Sequence, residues 1–197
     1  TGTVFERLLF NNKNPFGFTP AQASTPFYSV SRGLSTTRGQ SLPQLGLSRV
    51  TLLTGPGTCS ASESIINGLR GVNVRVDLIG ETTCGKPYGF LPQDNCGTTY
   101  FAIQFKGVND KGIGDYADGL TPTCQVADDF GSALGDPLEK RLAAALSYRA
   151  TGVCPAASST FAKTTLVQSG KSSDDSSSFS VLKPFSRAAK ILQLDGR

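Results

Sequence analysis

The hydrophobic and polar positions of this 197-residue chain change between strand-like and helix-like patterns along its length. Short apolar runs with many β-branched residues predict four strands, at residues 3–10, 48–55, 72–80 and 98–107. Between the first two lies a Gly-, Pro-, Ser- and Thr-rich stretch, 11–42, with little periodicity. We expect that stretch to be a long extended loop, which in compact domains is often functional.

A helical pattern separates two of these strands. In residues 59–71, "CSASESIINGLRG", the apolar positions Ala61, Ile65 and Leu69 recur at helical spacing, and Gly71 is placed to end the helix. Strand, short helix and strand within about thirty residues form a βαβ unit whose two strands run parallel. The sequence therefore predicts an α/β fold.

A second helix is predicted from "DPLEKRLAAALSYRATG". Asp136 is a candidate N-cap, Pro137 would occupy the first helical position, Glu139 completes a capping box and Gly152 ends the helix. The expected buried stripe consists of Leu138, Leu142 and Leu146.

The composition changes near residue 155. Residues 156–180 include the low-complexity run "SGKSSDDSSSFS", and residues 181–197 contain enough apolar side chains to dock on a surface. We therefore expect a folded domain over 1–155, a Ser-rich linker over 156–180 and a C-terminal tail over 181–197.

Charge and composition exclude several classes of protein. The net charge of +4 is modest and its Lys and Arg residues are scattered, which argues against a nucleic-acid partner. No apolar run approaches the roughly 20 residues that cross a bilayer, so we expect no membrane span. The chain has no histidine, which excludes Ser-His-Asp and Cys-His catalysis and His-ligated zinc. The absence of methionine indicates a processed or partial chain.

Five cysteines without any C-x-x-C pair favour disulfides in an oxidising compartment over zinc binding or thioredoxin-type chemistry. The expected pairs are Cys84–Cys96 and Cys124–Cys154, with Cys59 left over as a buried or disulfide-bonded residue.

Residues 80–87, "GETTCGKP", match most of a phosphate-binding loop, G-x-x-x-x-G-K. That loop requires a hydroxyl after the lysine to bind Mg²⁺ and a helix whose N-terminal amides cradle the phosphate. Pro87 supplies neither a hydroxyl nor an N–H, so nucleotide binding is rejected and Lys86 needs another role.

A partner for Lys86 lies in "GTCSASESI". Ser60 and Glu63 have the spacing of a capping box, which by itself opens many ordinary helices. The same position also places the Ser60 hydroxyl at the positive end of a helix, with the N–H of Ala61 facing an oxyanion on an attacked carbonyl. Because the ends of neighbouring parallel strands lie side by side, Ser60 and Lys86 can approach each other. A buried, neutral lysine can take the serine proton, which is nucleophilic catalysis without histidine.

These two motifs at this separation resemble the catalytic core of the C-terminal-processing (tail-specific) serine peptidases, the S41 family. The small-residue run ending "SASE" and the segment "GETTCGK", with Thr83 at its threonine position, are the matching residues. The resemblance implies the C-terminal portion of a ClpP/crotonase-like core, with βαβ units, a mostly parallel sheet and flanking helices. It makes Ser60 the nucleophile, Lys86 the general base and Glu63 an assistant of this dyad. It also implies a polypeptide substrate, no metal or organic cofactor and an extracytoplasmic location.

The chain departs from the family pattern in two places. Many members have a glutamine four residues after the lysine, where this chain has Phe90 and where Gln93 is the nearest candidate. An earlier glycine-rich strand that donates a second oxyanion N–H, and the usual substrate-gripping PDZ domain, do not occur in the sequence. The alternative function is therefore a non-catalytic peptide-binding or scaffolding domain, or an inactive fragment of such a peptidase.

Overall fold

The computed structural model describes residues 2–33 and 36–156. Two helices, α1 (Ala61–Gly71) and α2 (Lys140–Thr151), lie among nine short strands of the described part. The strands are β1 (Val4–Phe10), β2 (Ser24–Pro26), β3 (Arg49–Thr54), β4 (Arg75–Gly80), β5 (Tyr88–Gly89), β6 (Gln93–Asn95), β7 (Thr98–Tyr100), β8 (Phe105–Val108) and β9 (Cys124–Gln125).

A parallel sheet of order β3-β4-β9 forms the part of the fold that the sequence predicted best. Strands β3 and β4 pair in register from Arg49 opposite Arg75 to Thr54 opposite Gly80, and α1 connects them. The predicted βαβ unit and the α/β fold class are confirmed.

A second, antiparallel sheet of order β2-β1-β8-β5 and a separate hairpin, β6–β7, complete the strands. The single strand predicted over 98–107 is instead divided between β7 and β8, because residues 101–104 leave the strand conformation. Within the described part of 11–42, β2 and an isolated bridge between Val30 and Ser41 are the ordered pairings, so the expected loop is largely confirmed.

Strand β4 is covered on both faces because successive side chains of a strand point in opposite directions. Val76 and Leu78 pack with Ile66 of α1 on one face. On the other face, Ile79 packs with residues of α2 and β9, namely Cys124, Ala144, Ala145 and Tyr148. The two core clusters therefore meet at β4, whose last residues lead into the candidate site.

Helix α1 covers the predicted range, and of its three spaced apolar residues Leu69 packs against the core whereas Ala61 and Ile65 are exposed. Ile65 is 47% exposed, whereas the buried positions are Glu63, Ser64, Ile66, Asn67, Gly68 and Gly71. The reason is that α1 packs against β1 and β8 as well as β4. A Cβ at Gly68 would lie 2.8 Å from Phe5 of β1, so a small residue is needed at this contact.

Helix α2 begins later than predicted. Its N-cap is Glu139, whose carboxylate accepts from the N–H groups of Arg141 and Leu142, while Asp136 accepts from Leu138 N in the preceding turn. The predicted end is confirmed, with Gly152 in the left-handed conformation at φ 72°. The predicted leucine stripe is wrong: the buried residues of α2 are Ala144, Ala145 and Tyr148.

Neither helix of the described residues is long and apolar enough to span a bilayer. Apart from Ala156, the predicted linker (156–180) and tail (181–197) lie outside the described residues.

Candidate active site

The ends of β3 and β4 lie side by side and fix the position of the two candidate segments. Thr54 is paired with Gly80, and its carbonyl accepts from Glu81 N at 3.0 Å. Gly80 has φ 135°, and a Cβ there would lie 2.1 Å from the Thr54 carbonyl oxygen. Glycine is therefore required for this close crossing. The turn that contains Ser60 and the loop that contains Lys86 both start from it.

Ser60 occupies the N-cap of α1 with φ 54° and ψ −108°, a backbone conformation that non-glycine residues rarely adopt. Its backbone N–H donates to the Glu63 carboxylate, as in the predicted capping box, while its own side chain makes no cap hydrogen bond. Such strain persists only where the surrounding structure determines it, and it is concentrated at functional sites. A serine held on a strained strand-to-helix turn presents its hydroxyl at the exposed end of the sheet.

Glu63 connects the two segments through a completely buried carboxylate. Its Oε2 accepts from the backbone N–H of Ser60 at 3.0 Å and from that of Lys86 at 2.8 Å. Its Oε1 accepts from Gly85 N at 2.8 Å and from the Thr83 hydroxyl at 2.5 Å. One side chain thus fixes the main chain at both candidate catalytic residues.

The loop before Lys86 rests on the segment 117–120. Leu120 N donates to the buried Thr83 hydroxyl at 2.7 Å. Gly85 has φ 78°, and a Cβ there would lie 2.0 Å from the Ala117 carbonyl oxygen. The threonine and the glycine of the motif are therefore needed to seat this loop, and Lys86 follows directly.

The Lys86 side chain is half-buried. Its ammonium has no hydrogen-bond or ion-pair partner among residues 2–33 and 36–156, so it is not bonded to the Ser60 hydroxyl in this structure. What the structure brings together is the backbone of Ser60 and Lys86, through Glu63. Ala61, whose N–H was predicted to face the oxyanion, is the exposed first residue of α1.

Tyr116 is a further titratable group, which is buried and interacts electrostatically with Glu63. Burial raises the pKa of Tyr116 to about 12. A phenol with that pKa stays protonated near neutral pH, so Tyr116 is excluded as the general base.

The disulfides correct one predicted pair and confirm the other. Cys59 is bonded to Cys84, and Cys124 to Cys154, whereas Cys96 is free and exposed. The predicted Cys84–Cys96 pair is wrong because Cys96 lies at the turn of the β6–β7 hairpin. Cys59 and Cys84 instead follow two strand ends that are already paired.

The two departures from the S41 pattern have structural contacts of their own. Phe90 packs edge-on against Phe101, with ring centroids 5.3 Å apart. Gln93 is exposed in β6. The structure gives neither residue a described contact with Lys86.

Sequence reasoning missed the ion-pair cluster at Arg141, which lies beside the strand ends. Its guanidinium pairs with Glu81 at 2.5 Å and with Asp128 at 3.1 Å, and it lies 3.2 Å from the position of a Cβ on Gly55. Arg141 thereby fixes α2 to the segments that follow β4 and β9, and its guanidinium lies against the turn after β3. No sequence signal indicates this, because the three charges are far apart along the chain.

The loop that contains Asp110, Asp115 and Asp118 lacks the spacing of an EF-hand calcium loop. Asp110 accepts from Val4 N and Asp115 pairs with Lys106. Among the described residues, no cluster of three or more acidic, cysteine or histidine side chains could hold a metal ion.

Comparison with known proteins supports the fold. No protein-family model and no curated protein matches the chain. A crystal structure of a candidate S41 protease from Bacteroides fragilis NCTC 9343 is similar to it, with 23% identity and a TM-score of 0.57. The match covers 77% of this chain and 38% of that one, so the chain spans well under half of that protein. The likeness shows that the chain shares the fold of this S41-type structure.

Proposed function

We propose that the chain is the catalytic portion of a serine-type endopeptidase that uses Ser60 as nucleophile and Lys86 as general base. The observation that supports this best is the Glu63 carboxylate, which accepts from the backbone N–H groups of both residues. The strained backbone of Ser60 supports it independently. An ordinary capping box includes the bond from Ser60 N to Glu63 but requires neither the bond from Lys86 N nor a positive φ at the serine.

The proposed reaction has two stages. Lys86 takes the proton of the Ser60 hydroxyl as Oγ attacks the peptide carbonyl carbon, and the Ala61 N–H donates to the resulting oxyanion. The lysine then gives its proton to the leaving amine, which yields an acyl-enzyme. A water molecule, deprotonated by Lys86, hydrolyses the ester and restores Ser60. In this scheme Lys86 carries every proton transfer.

The role of Glu63 in this reaction is positional. All four of its described strong donors belong to the protein itself: the three backbone N–H groups and the Thr83 hydroxyl. Its carboxylate is therefore occupied, and we assign it to fixing the two catalytic segments and not to proton transfer.

The experiment is covalent labelling with a fluorophosphonate, followed by peptide mapping. We expect the label on Ser60, and in Lys86→Ala or Lys86→Arg a rate lower by about a hundredfold or more, the usual contribution of a general base. Ser62→Ala is the matched control, because Ser62 is exposed on the same helix and two residues away. If the Lys86 variants label as fast as the parent, or if the intact protein is not labelled, the non-catalytic peptide-binding domain is favoured.

The proposed setting is extracytoplasmic, with polypeptides as substrates. Two disulfides are compatible with such a setting. Thiol trapping of the protein in its native cells, followed by mass measurement, tests the location. Recovery of all five cysteines as free thiols would contradict it.

A further inference from the structure

We propose that the Cys59–Cys84 disulfide is a positioning element of the candidate active site, so that its reduction switches the reaction off while the fold persists. This inference rests on the proposed function. It assigns to one of the two disulfides a task that the other does not share.

The bond joins the two segments at the point of chemistry. Cys59 directly precedes Ser60, and Cys84 lies two residues before Lys86, with the two cysteine Cα atoms 5.3 Å apart. A backbone hydrogen bond from Cys84 N to the Thr58 carbonyl, 3.0 Å long, runs beside it. The covalent link and the Glu63 carboxylate thus bracket Ser60 from both sides.

Both segments need such a constraint. Residues 81–87 contain neither helix nor strand, and the Lys86 ammonium has no described partner that would fix its direction. Ser60 has φ 54°, and a residue in that region relaxes once its surroundings allow it. Without the disulfide, Glu63 and the bond to Thr58 are the described links between the two segments. These links are hydrogen bonds to the main chain, so the disulfide is the covalent constraint on the spacing of the two segments, and the Lys86 side chain itself has no described partner.

The bond is also open to reduction. Cys84 is exposed and Cys59 half-buried, so a thiolate of a dithiol can attack Sγ of Cys84. The sulfur–sulfur bond breaks, Cys59 leaves as a thiolate and takes up a proton, and a mixed disulfide forms on Cys84. The second thiol of the reductant then releases Cys84 as a thiol. The protein disulfide gains two electrons and two protons, and the dithiol becomes a disulfide.

The chain provides a matched control in Cys124–Cys154. That bond closes a loop of similar length, with a sequence separation of 30 against 25. It joins β9 to the segment after α2, and Cys124 lies in the core with Ile79. A general loss of stability follows from removing either bond, whereas only one of them adjoins Ser60.

The test uses a Cys96→Ser background, which removes the free thiol that could exchange with the disulfides. Cys59→Ser/Cys84→Ser and Cys124→Ser/Cys154→Ser are compared for fluorophosphonate labelling at a temperature where circular dichroism shows both folded. We expect the first variant to label at least about tenfold more slowly, since small misplacements of reacting groups are costly. The second should stay within about twofold of the parent. In Cys59→Ser/Cys84→Ser the maximal rate of inactivation should decrease, while the probe concentration that gives half of that rate should stay unchanged. A merely structural role does not predict this combination.

Reduction of the parent protein gives a second readout that does not depend on how the variants fold. A dithiol titration followed by alkylation and mass mapping should show labelling falling with the Cys59–Cys84 bond and returning on reoxidation. Labelling that survives its reduction, or a folded Cys59→Ser/Cys84→Ser variant that labels like the parent, overturns the inference and leaves the peptidase proposal standing. Absence of labelling in the oxidised parent overturns the peptidase proposal first, and the inference with it.

Discussion

At the scale of single residues, the site depends on how one buried charge is compensated. Burying a carboxylate is costly unless it is hydrogen-bonded, and Glu63 meets this requirement with three backbone N–H groups and one hydroxyl. Hydrogen bonds to an ionised acceptor are roughly twice as strong as neutral ones. The same four donors would be left without an acceptor if the carboxylate were removed.

Replacing Glu63 should therefore destabilise the fold more than its size suggests. We expect Glu63→Gln to lower the free energy of unfolding by about 3 kcal/mol, because the amide presents an NH₂ group to donors that need an acceptor. Urea denaturation measures this. Glu81→Gln is the control, since Glu81 is part of an ion pair and its side chain is 35% exposed, and we expect it to lose about 1 kcal/mol or less. Equal losses in the two variants would contradict the role given to Glu63.

The backbone of Ser60 gives a second prediction, in which two neighbouring serines respond with opposite sign. At φ 54°, glycine relieves strain that alanine retains, so Ser60→Gly should be more stable than Ser60→Ala by about 1 kcal/mol. At Ser62, inside α1, glycine should be less stable than alanine by about 1 kcal/mol. Thermal or urea unfolding of the four variants decides the matter. The idea of a strained serine is wrong if Ser60→Gly is less stable than Ser60→Ala, as expected inside a helix.

The residues of the site could be named from the sequence because their chemistry depends on local motifs. Ser60, Glu63 and Lys86 belong to two short segments, and the parallel strand pair that joins them follows from the βαβ pattern. The partner of Cys59 could not be predicted, since pairing depends on which cysteines the folded chain brings close. The described contacts of Glu63 with Gly85 and Thr83 also required the tertiary structure.

At the scale of elements, α2 shows why a periodic pattern can predict a helix and miss its buried face. The helix starts at Lys140, so Leu138 precedes it and is 80% exposed, and Leu146 is 45% exposed. The face toward β4 places two small residues, Ala144 and Ala145, beside Tyr148, and the alanines allow the helix to approach Ile79 closely. Hydrophobicity alone favours leucine over alanine as the buried residue. Here close packing of the helix on the sheet buries the alanines and leaves Leu138 and Leu146 exposed.

Removing an exposed leucine of this region should therefore cost less free energy of unfolding than enlarging a buried alanine. We expect Leu138→Ser to change the free energy of unfolding by no more than about 0.5 kcal/mol, as at other exposed positions. Ala145→Leu, which enlarges a side chain that is only 8% exposed, should cost about 1–3 kcal/mol through overpacking. Chemical denaturation measures both. A large loss in Leu138→Ser together with a neutral Ala145→Leu would restore the leucine stripe that the sequence predicted.

At the scale of the whole molecule, the described fold is tied together near its C-terminal end. Helix α2 packs on β3 and β4, and Arg141 pairs with Glu81 and Asp128 at the strand ends. Cys154, three residues beyond α2, is bonded to Cys124 of β9. The last strand of the parallel sheet and the last described helix are thus covalently joined, which leaves the chain anchored just before the predicted domain edge.

The domain boundary near residue 155 stays a prediction, and truncation tests it. A chain ending at Ala156 retains both disulfides, α2 and the Arg141 ion pairs, and it lacks the Ser-rich linker and the tail. We expect its Tm to lie within about 2 °C of the full chain, because a loss of 1 kcal/mol in a domain of this size shifts Tm by roughly 2–4 °C. Fluorophosphonate labelling of Ser60 should be unchanged. A chain ending at Gly152 is the matched control: it loses Cys154, and the lost disulfide should lower the free energy of unfolding by about 3 kcal/mol. If the chain ending at Ala156 melts as early as this control, residues beyond 156 belong to the folded domain and the boundary is wrong.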